Sequence, residues 1–308
     1  MARLTVVGSL NMDLVVRTPR IPRPGETIIG KDFHTIPGGK GANQAVAAAR
    51  LGAQVTMVGR VGDDDFGRAL LNNLRTAGIN TDFVKIDPEA ATGIALITVE
   101  DSGENNIVLA SGSNMRLTVE DIEAAAEAIA QADIVLFQLE SPLPAVEAGL
   151  RLAKERGVVT LLNPAPAQPL SDTLLSYVDI LVPNETETAL LTGLPVTTAA
   201  EIEKAAEHLR RVGVGAVILT LGERGAFLCS DAGNAMFPAY RIEPVDTTAA
   251  GDAFVAGLAV AWAETGDLTS AIPWANAAGA LAAMKLGAQP SLPTRSEWEQ
   301  FYYSHARE

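Results

Sequence analysis

Short, continuous apolar runs recur along the 308-residue chain, and amphipathic stretches separate them. A strand buried on both faces of a parallel sheet is apolar at every position, whereas a half-exposed strand alternates. Strands of this kind that alternate with helices predict an α/β fold with a doubly wound, mostly parallel central sheet. The runs are Leu4–Gly8, Val55–Val61, Ile134–Leu139, Val158–Leu162, Ile180–Val182 and Ala216–Leu221.

Two segments predict particular helices. The apolar residues of Thr118–Gln131 fall at helical spacing, and Thr118 followed by Asp121 has the pattern of an N-terminal cap. The Ala-rich segment Ala253–Met284 predicts two helices, and their small side chains should let them pack closely against other elements.

Two other segments interrupt the alternation of strands and helices. Residues 13–36 hold three prolines between β-prone stretches, and residues 92–110 hold two β-prone runs around a predicted turn, Asp101-Ser102-Gly103. We predict that they form a small β-sheet lid, which needs packing partners to be stable. The lid would be inserted into a main nucleotide- and sugar-binding domain of residues 1–12, 37–91 and 111–308.

The composition excludes several classes of protein. The chain carries 23 Lys and Arg against 37 Asp and Glu, a formal net charge of −14, which argues against a general nucleic-acid binder. No apolar run approaches the ~18 residues of a membrane span, and the single cysteine, Cys229, cannot form an intrachain disulfide. His34, His208 and His305 lack metal-ligand spacing. We therefore expect a soluble, cytoplasmic protein without nucleic-acid or membrane partners.

A glycine-rich segment, Gly38-Gly39-Lys40-Gly41-Ala42-Asn43-Gln44, precedes the helical run Ala45–Arg50. Glycines permit positive φ and let a backbone approach a ligand closely. The segment matches neither the Walker loop nor the dinucleotide fingerprint, because glycine follows the lysine and Gln44 stands where a third glycine is needed. It is either a tight strand-to-helix turn or a ligand loop.

A second small-residue segment, Asp246–Phe254, leads into a strongly apolar helix. The N-terminus of that helix would present the N–H groups of Ala250 and Gly251, which suits a phosphoryl group. Asp252 is then either a general base at the mouth of the site or an ordinary residue of a helix N-terminus.

Polar residues follow the predicted strands near the N-terminus and in the middle of the chain. Asn11 and Asp13 lie two residues apart, so their side chains point the same way in an extended chain. An amide and a carboxylate placed in this way bind vicinal hydroxyl groups, although turn formation is the alternative. Glu140 similarly ends the strand Ile134–Leu139.

Two more strand ends carry candidate ligand residues. Asn184 and Glu187 have the spacing of a helix capping box, yet they also lie where open α/β sheets bind ligands. The segment Thr220–Gly225 is either a turn between two strands or a loop against the phosphates or ribose of a nucleotide.

Taken in order and spacing, these segments resemble the ribokinase family of carbohydrate kinases over nearly the whole chain. Further matching motifs are Pro24-Gly25-Glu26-Thr27, Asn163-Pro164-Ala165-Pro166 and Lys285–Ser291. The resemblance implies ATP-dependent phosphorylation of D-ribose at O5, giving ribose 5-phosphate and ADP. Open alternatives are a kinase of the same family for 2-deoxyribose, fructose or adenosine, and a non-catalytic sugar-binding protein. A dimer joined through the lid sheets is also implied.

The resemblance further implies a role for each matching residue. Asp252 would be the catalytic base, with an anion hole from Ala249, Ala250 and Gly251. The sugar would be bound by Asn11, Asp13, Gly39, Lys40, Gly41, Ala42, Asn43, Glu140 and Asp252. ATP would be bound by Asn184, Glu187, Thr220, Leu221, Gly222, Glu223, Arg224, Gly225, Gly251, Asp252 and Asn276.

Two metal ions are implied in the same way. Glu187 matches the family's glutamate associated with Mg²⁺ and phosphate. An activating K⁺ would be bound by oxygens of Asp246, Thr248, Ala282, Lys285, Gly287 and Ser291.

Asn276 departs from the family pattern, because many members carry His at this place near the adenine. Asn11 favours ribose, since an amide there can bond a 2-hydroxyl.

Overall fold

A computed structural model describes residues 1–102 and 104–305 of the chain. Gly103, the last residue of the turn predicted at residues 101–103, lies outside the described residues. The strands are β1 (Arg3–Val7), β2 (Asn11–Thr18), β3 (Asp32–Gly38), β4 (Gln54–Gly62), β5 (Asn80–Asp87), β6 (Gly93–Glu100), β7 (Asn105–Ala110), β8 (Ile134–Phe137), β9 (Val159–Leu162), β10 (Ile180–Leu181), β11 (Ala216–Thr220), β12 (Ala226–Ser230) and β13 (Gly233–Phe237).

The helices alternate with these strands, as the apolar pattern predicts. They are α1 (Lys40–Arg50), α2 (Asp65–Thr76), α3 (Val119–Ala124), α4 (Ala126–Ala130), α5 (Leu143–Glu155), α6 (Asp172–Ser176), α7 (Glu185–Thr192), α8 (Ala199–Arg211), α9 (Ala250–Thr265), α10 (Leu268–Ala283) and α11 (Arg295–His305). Short 3₁₀ turns lie at Gly112–Arg116, Gly222–Arg224 and Gln289–Ser291.

The large sheet has nine strands in the order β13-β12-β11-β10-β9-β8-β1-β4-β5. The seven strands β11, β10, β9, β8, β1, β4 and β5 are parallel to their neighbours. The strands β12 and β13 are antiparallel and form one edge of the sheet. Val7 pairs with Phe137, and Phe137 pairs with Leu162. The carboxyl ends of β1, β8 and β9 therefore meet at one edge of the sheet, where open α/β sheets bind ligands.

Apolar side chains fill both faces of this sheet, as a doubly wound fold requires. One core packs α1, α2, α9 and α10 against the sheet, and the other packs α3, α4, α5, α6 and α8 against the opposite face. The predicted helix pair of residues 253–284 is present as α9 and α10. A Cβ at Gly257 would lie 2.8 Å from the Cβ of Ala278, so this contact between the two helices depends on small residues.

A second sheet has four strands in the order β3-β2-β6-β7, with β2 and β6 parallel and the outer pairs antiparallel. The chain enters and leaves it at residues that face one another, since Asn11 pairs with both Gly38 and Gly93. Ala110, at the end of β7, pairs with Ile94. The four crossings between the two sheets thus lie along one line.

Two helix predictions were wrong in their bounds. The segment Thr118–Gln131 forms two short helices, because the hydrogen bond from Ala125 N to Ile122 O has 3₁₀ spacing and interrupts the α pattern. The Thr118–Asp121 capping box is present. The helix predicted from Ala45 begins at Lys40, because the positive φ of Gly39 (89°) ends the strand at once. Lys40 to Gln44 are therefore helical and not a loop.

None of the helices within residues 1–102 and 104–305 combines the length and the hydropathy that crossing a membrane requires.

We predict that Leu136→Ala lowers the free energy of unfolding by about 2–5 kcal/mol, because it leaves a cavity beside a central strand. Leu136 lies in β8 and is fully buried. Leu190→Ala is the matched control, since Leu190 is 46% exposed on α7 and its loss should change stability by about 0.5 kcal/mol or less. Urea unfolding of both variants checks this, and equal losses would contradict the assignment of the core.

Candidate active site

The site begins where the first turn of α1 touches the segment after β1. A Cβ at Gly41 would lie 2.6 Å from the backbone N of Ser9, so only glycine permits this approach. Ala42 N donates to Ser9 O at 2.9 Å, which ties the helix to that segment. The side chains of α1 are thereby placed at the carboxyl edge of the large sheet.

Asp252 lies in the first turn of α9 and faces α1. Its Oδ2 accepts a hydrogen bond from Asn43 Nδ2 at 3.0 Å, and its Oδ1 accepts one from Gln44 Nε2 at 3.1 Å. Ala249 precedes the helix in a left-handed conformation with φ of 60°. This conformation turns the chain sharply into α9, whose first N–H groups have no acceptor within the helix.

The predicted anion hole is only partly free in this conformation. Ala250 N donates to Thr247 O at 3.1 Å. A Cβ built on Gly251 would meet no atom within 4 Å, so open space lies over this first turn. A phosphoryl group fits such space beside the positive end of a helix.

A cavity of about 210 Å³ opens over Asp252. Among the predicted site residues, Lys40, Asn184, Glu187, Thr220, Ala249, Gly251 and Asp252 line it. Asn163, Ala165, Val182, Thr247 and Val255 complete its wall. The structure therefore brings the two small-residue segments and the ends of β10 and β11 to one cavity.

Glu140 anchors a neighbouring group of polar residues. Its Oε2 accepts hydrogen bonds from the Ser9 hydroxyl, from Lys40 N at 3.2 Å and from Asn11 Nδ2 at 3.4 Å. The Oδ1 of Asn11 accepts from Asn114 Nδ2 at 2.7 Å. This hydrogen bond fixes which way the Asn11 amide faces and uses one of the two lone pairs of that oxygen, so Asn11 can still both accept and donate.

Asp13 lies next to this group, at the start of the small sheet. A Cβ at Gly38 would come within 2.4 Å of its carboxyl oxygen, so glycine makes room for the side chain. Burial, together with the negative charges of Glu140 and Asp252, raises the pKa of Asp13 from 3.8 to about 7. The carboxyl is thus close to its midpoint at neutral pH.

Lys40 and Glu187 carry opposite charges along the cavity wall. Burial alone would lower the pKa of the Lys40 ammonium, but the carboxylates of Asp252, Glu140 and Glu187 outweigh it and raise the pKa. Burial raises the pKa of Glu187, although the hydrogen bond from Asn184 N and the Lys40 charge oppose this. Lys40 is therefore a stable cation beside an acidic group.

Asn184 and Glu187 form the capping box that their spacing predicts. Asn184 Oδ1 accepts from Glu187 N at 2.8 Å, and Glu187 Oε2 accepts from Asn184 N at 2.8 Å. Both residues also line the cavity, so the structural interpretation and the ligand interpretation hold together.

The segment Thr220–Gly225 turns between β11 and β12. Leu221 is buried, and Gly222, Glu223 and Arg224 form an exposed 3₁₀ turn. Arg224 pairs with Glu185 at 2.5 Å, which holds the turn against α7. A Cβ at Gly225 would lie 2.0 Å from Phe237 O, so this turn packs directly on residues 237–239.

Asn276 lines a separate cavity of about 440 Å³ beside that packed segment. Its Nδ2 donates to Pro238 O at 3.0 Å. The cavity wall is completed by Phe237, Pro238, Ala239, Tyr240, Arg241, Pro273 and His305. Asn276 thus lies beside the Thr220–Gly225 turn rather than in the cavity that holds Asp252.

Asp246 ties together the two loops of the predicted cation site. Its Oδ2 accepts from Gly287 N at 2.8 Å, and its Oδ1 accepts from Thr248 N at 2.9 Å. Burial acts to raise the pKa of Asp246, but these hydrogen bonds outweigh it and lower the pKa. The group is therefore a carboxylate.

The other predicted cation ligands differ in what they can offer. Lys285 N donates to Ala282 O at 3.1 Å, while the Lys285 ammonium pairs with Glu297 at 2.6 Å. Ser291 is buried, and its hydroxyl donates to Ala288 O at 2.7 Å. One carboxylate with backbone and hydroxyl oxygens is the donor set of a hard cation. Among the described residues, no group of three or more His, Cys, Asp or Glu side chains could hold a metal ion.

Sequence reasoning missed the polar residues that hold these groups in place. Each has a buried or half-buried side chain, at a strand end, in the 3₁₀ turn 112–116 or on the inner face of α1. They are Ser9, Gln44, Asn114, Gln138 and Asn163. The available signal is a polar residue in an otherwise apolar setting, such as Gln138 directly after the apolar strand β8.

Comparison with known proteins identifies what the chain is similar to. The model of the pfkB family carbohydrate kinases matches residues 1–295. A ribokinase of Haemophilus influenzae is 44% identical over 97% of both chains, and a deoxyribokinase of Salmonella typhimurium is 38% identical over 97% of this chain and 98% of its own. The structure of Arabidopsis thaliana ribokinase complexed with ribose and ATP superposes with a TM-score of 0.91, at 34% identity, over 98% of this chain and 99% of that one.

We predict that Asp13→Asn changes how stability depends on pH. The protonated Asp13 stabilises the folded state fully below the unfolded pKa of 3.8, and this contribution is lost as the pH rises to about 7. Asparagine stays neutral. The free energy of unfolding of the variant, relative to that of the unsubstituted protein, should therefore rise by about 3 kcal/mol from pH 5 to pH 8. Urea unfolding at both pH values measures this.

Asp65→Asn is the control for that experiment, because the Asp65 side chain is 97% exposed. Its effect on stability should differ much less between the two pH values. An equal difference for both variants would contradict the assignment to Asp13.

Proposed function

The chain belongs to the pfkB family of carbohydrate kinases, and we propose that it transfers a phosphoryl group from ATP to O5 of D-ribose. The products would be ribose 5-phosphate and ADP. The observation that carries this proposal is the position of Asp252, in the first turn of α9 and in one cavity with Lys40 and Gly251. A base, a cation and a helix N-terminus in one cavity are the parts that phosphoryl transfer requires.

The nucleotide phosphates would lie between α9 and the Thr220–Gly225 turn. The open space over Gly251 and the positive end of α9 favour an anion there. Lys40 adds a positive charge to the same cavity. We propose that the adenine ring of ATP lies in the cavity beside Asn276. The Thr220–Gly225 turn, proposed to contact the phosphates, packs on residues 237–239, which line that cavity.

Asp252 is proposed to accept the proton of the sugar hydroxyl. Each of its carboxylate oxygens already accepts one amide hydrogen, from Asn43 and Gln44, and each has a second lone pair free for a hydroxyl. In a loose transition state the nucleophile loses its proton late, so a carboxylate is basic enough. Most of the rate then comes from positioning and charge stabilisation.

The sugar is proposed to bind between α1 and the start of the small sheet. Asn43 Oδ1 is buried and has no hydrogen-bond partner among the described residues, so a sugar hydroxyl would supply the missing donor. Glu140 and Asp13 offer further acceptors on the same side. The Asn11 amide can hydrogen-bond a 2-hydroxyl, and a site built for that bond favours ribose over 2-deoxyribose.

Two metal ions would complete the reaction. Glu187 belongs to the capping box on the cavity wall. We propose that it helps to hold the Mg²⁺ that accompanies the phosphates. The loops joined by Asp246 fit a monovalent cation such as K⁺, and the ligands would be Asp246, Thr248, Ala282, Lys285, Gly287 and Ser291. When bound, these cations would supply positive charge that offsets the negative charge of the phosphates.

The small sheet is proposed to act as a lid and as the contact between two subunits. A lid over the sugar excludes water and so limits hydrolysis of ATP. Leu96, Ile107 and Val108 are large apolar residues on paired strands, and they are 47%, 58% and 61% exposed. An exposed apolar edge strand is a site for pairing with another chain, which supports a homodimer.

The function is tested by measuring ADP release from Mg-ATP with ribose, 2-deoxyribose, fructose and adenosine, each in potassium and in sodium salts. We expect turnover that depends on ribose and is faster in potassium. Turnover only with a substrate other than ribose would contradict the proposed substrate. Equal rates in potassium and sodium salts would contradict the proposed cation site. Sugar binding without turnover would favour a binding protein.

We predict that Asp252→Asn lowers kcat by about 10²–10⁴-fold, because the neutral amide cannot accept the proton. The variant should stay folded, since asparagine has nearly the same shape. Asp231→Asn is the control, because Asp231 is 95% exposed and lies outside both cavities. Steady-state kinetics and thermal unfolding measure both variants, and near-normal turnover in a folded Asp252→Asn protein would contradict the role of Asp252.

A further inference from the structure

We propose that Gln44 is a positioning residue that fixes the orientation of the Asp252 carboxylate. The inference rests on the proposed function, because it concerns the base of that reaction. Gln44 lies on α1 one residue after Asn43, and its side chain is fully buried. Its Nε2 donates to Asp252 Oδ1 at 3.1 Å.

A chain of hydrogen-bonded amides determines which way Gln44 points. The backbone carbonyl of Val182 can only accept, and it accepts from Asn163 Nδ2 at 3.0 Å. Asn163 Oδ1 must therefore face the other way, where it accepts from Gln44 Nε2 at 3.2 Å. The two hydrogens of Gln44 Nε2 are then used by Asn163 and Asp252.

The other end of the Gln44 amide also has a buried partner. Gln44 Oε1 accepts from Gln138 Nε2 at 2.6 Å, and Gln138 is fully buried. A reversed Gln44 would place its oxygen against two acceptors, Asn163 Oδ1 and Asp252 Oδ1. In a buried setting these unmet groups are costly, so the observed orientation is the one that the surroundings permit.

This orientation controls the plane of the base. Asn43 and Gln44 each hold one oxygen of Asp252, so the carboxylate cannot rotate without breaking a hydrogen bond. Asn43 is also proposed to bind the sugar and must adapt to it, whereas Gln44 contacts only protein groups. Gln44 therefore keeps the free lone pair of Asp252 aimed at the hydroxyl when the sugar binds. A small misplacement of such a group costs about 100-fold in rate.

The test is Gln44→Met, which keeps the length of the side chain and removes all three hydrogen bonds. We expect kcat to fall by about 10–100-fold. The Kd values for ribose and for an ATP analogue, measured by calorimetry, should change by less than about 3-fold, because Gln44 is not proposed to touch either ligand. A loss confined to kcat is what positioning predicts and general loosening does not.

Thr160→Val is the control for lost stability. Thr160 is fully buried in β9, and its hydroxyl donates to Tyr177 O at 2.7 Å, away from both cavities. This variant should lower the melting temperature and leave kcat unchanged. If Gln44→Met fails to fold, Asn163→Ala provides the second test, because Asn163 is only half-buried and its loss frees the Gln44 amide.

A folded Gln44→Met protein with kcat within 2-fold of the unsubstituted protein would overturn the inference. A rise in the ligand Kd values by the same factor as the fall in kcat would overturn it as well. If Thr160→Val loses as much kcat as Gln44→Met for the same loss of melting temperature, the inference is also overturned. The Asp252→Asn variant separates this failure from failure of the proposed function. If Asp252→Asn loses turnover and Gln44→Met does not, only the positioning role of Gln44 is wrong.

Discussion

The close contact of α1 with the segment after β1 is the constraint on which the site depends. Because Gly41 has no side chain, its backbone packs on Ser9, and the first turn of the helix begins at the edge of the large sheet. Lys40 N then reaches Glu140, while Asn43 and Gln44 reach Asp252 on α9. One backbone contact thus sets the distance between the proposed sugar side chains and the proposed base. Any side chain there would move all of them together.

Negative charge is concentrated around a single cation. Lys40 interacts with Asp252, Glu140 and Glu187, and Asp13 feels the charges of Glu140 and Asp252. Burial first and these charges second raise the pKa of Asp13, which means that the ionised carboxyl destabilises the folded protein. The same carboxylates are the acceptors that we propose for the sugar hydroxyls. A loss of stability of this kind is a common property of functional sites.

The sequence predicts the parts of the fold that depend on local pattern. Continuous apolar runs located the central strands, and the family resemblance is confirmed by the match over residues 1–295. The helix at residues 118–131 was predicted as continuous, because no residue type there signals the 3₁₀ bond at Ala125. The amide chain through Gln44 was not predicted, since its orientation comes from Val182 O, which is distant in sequence. Hydrogen-bond direction is a tertiary property.

The line along which the chain crosses between the two sheets has a mechanical consequence. Asn11 lies on that line, paired with Gly38 and Gly93. In a rotation, each point moves in proportion to its distance from the axis. If the small sheet turns about this line, its outer edge at β7 sweeps a long arc while Asn11 hardly moves. A ligand bound by Asn11 would lie on the rotation axis. The small sheet would then open and close while the contact between Asn11 and the ligand is kept.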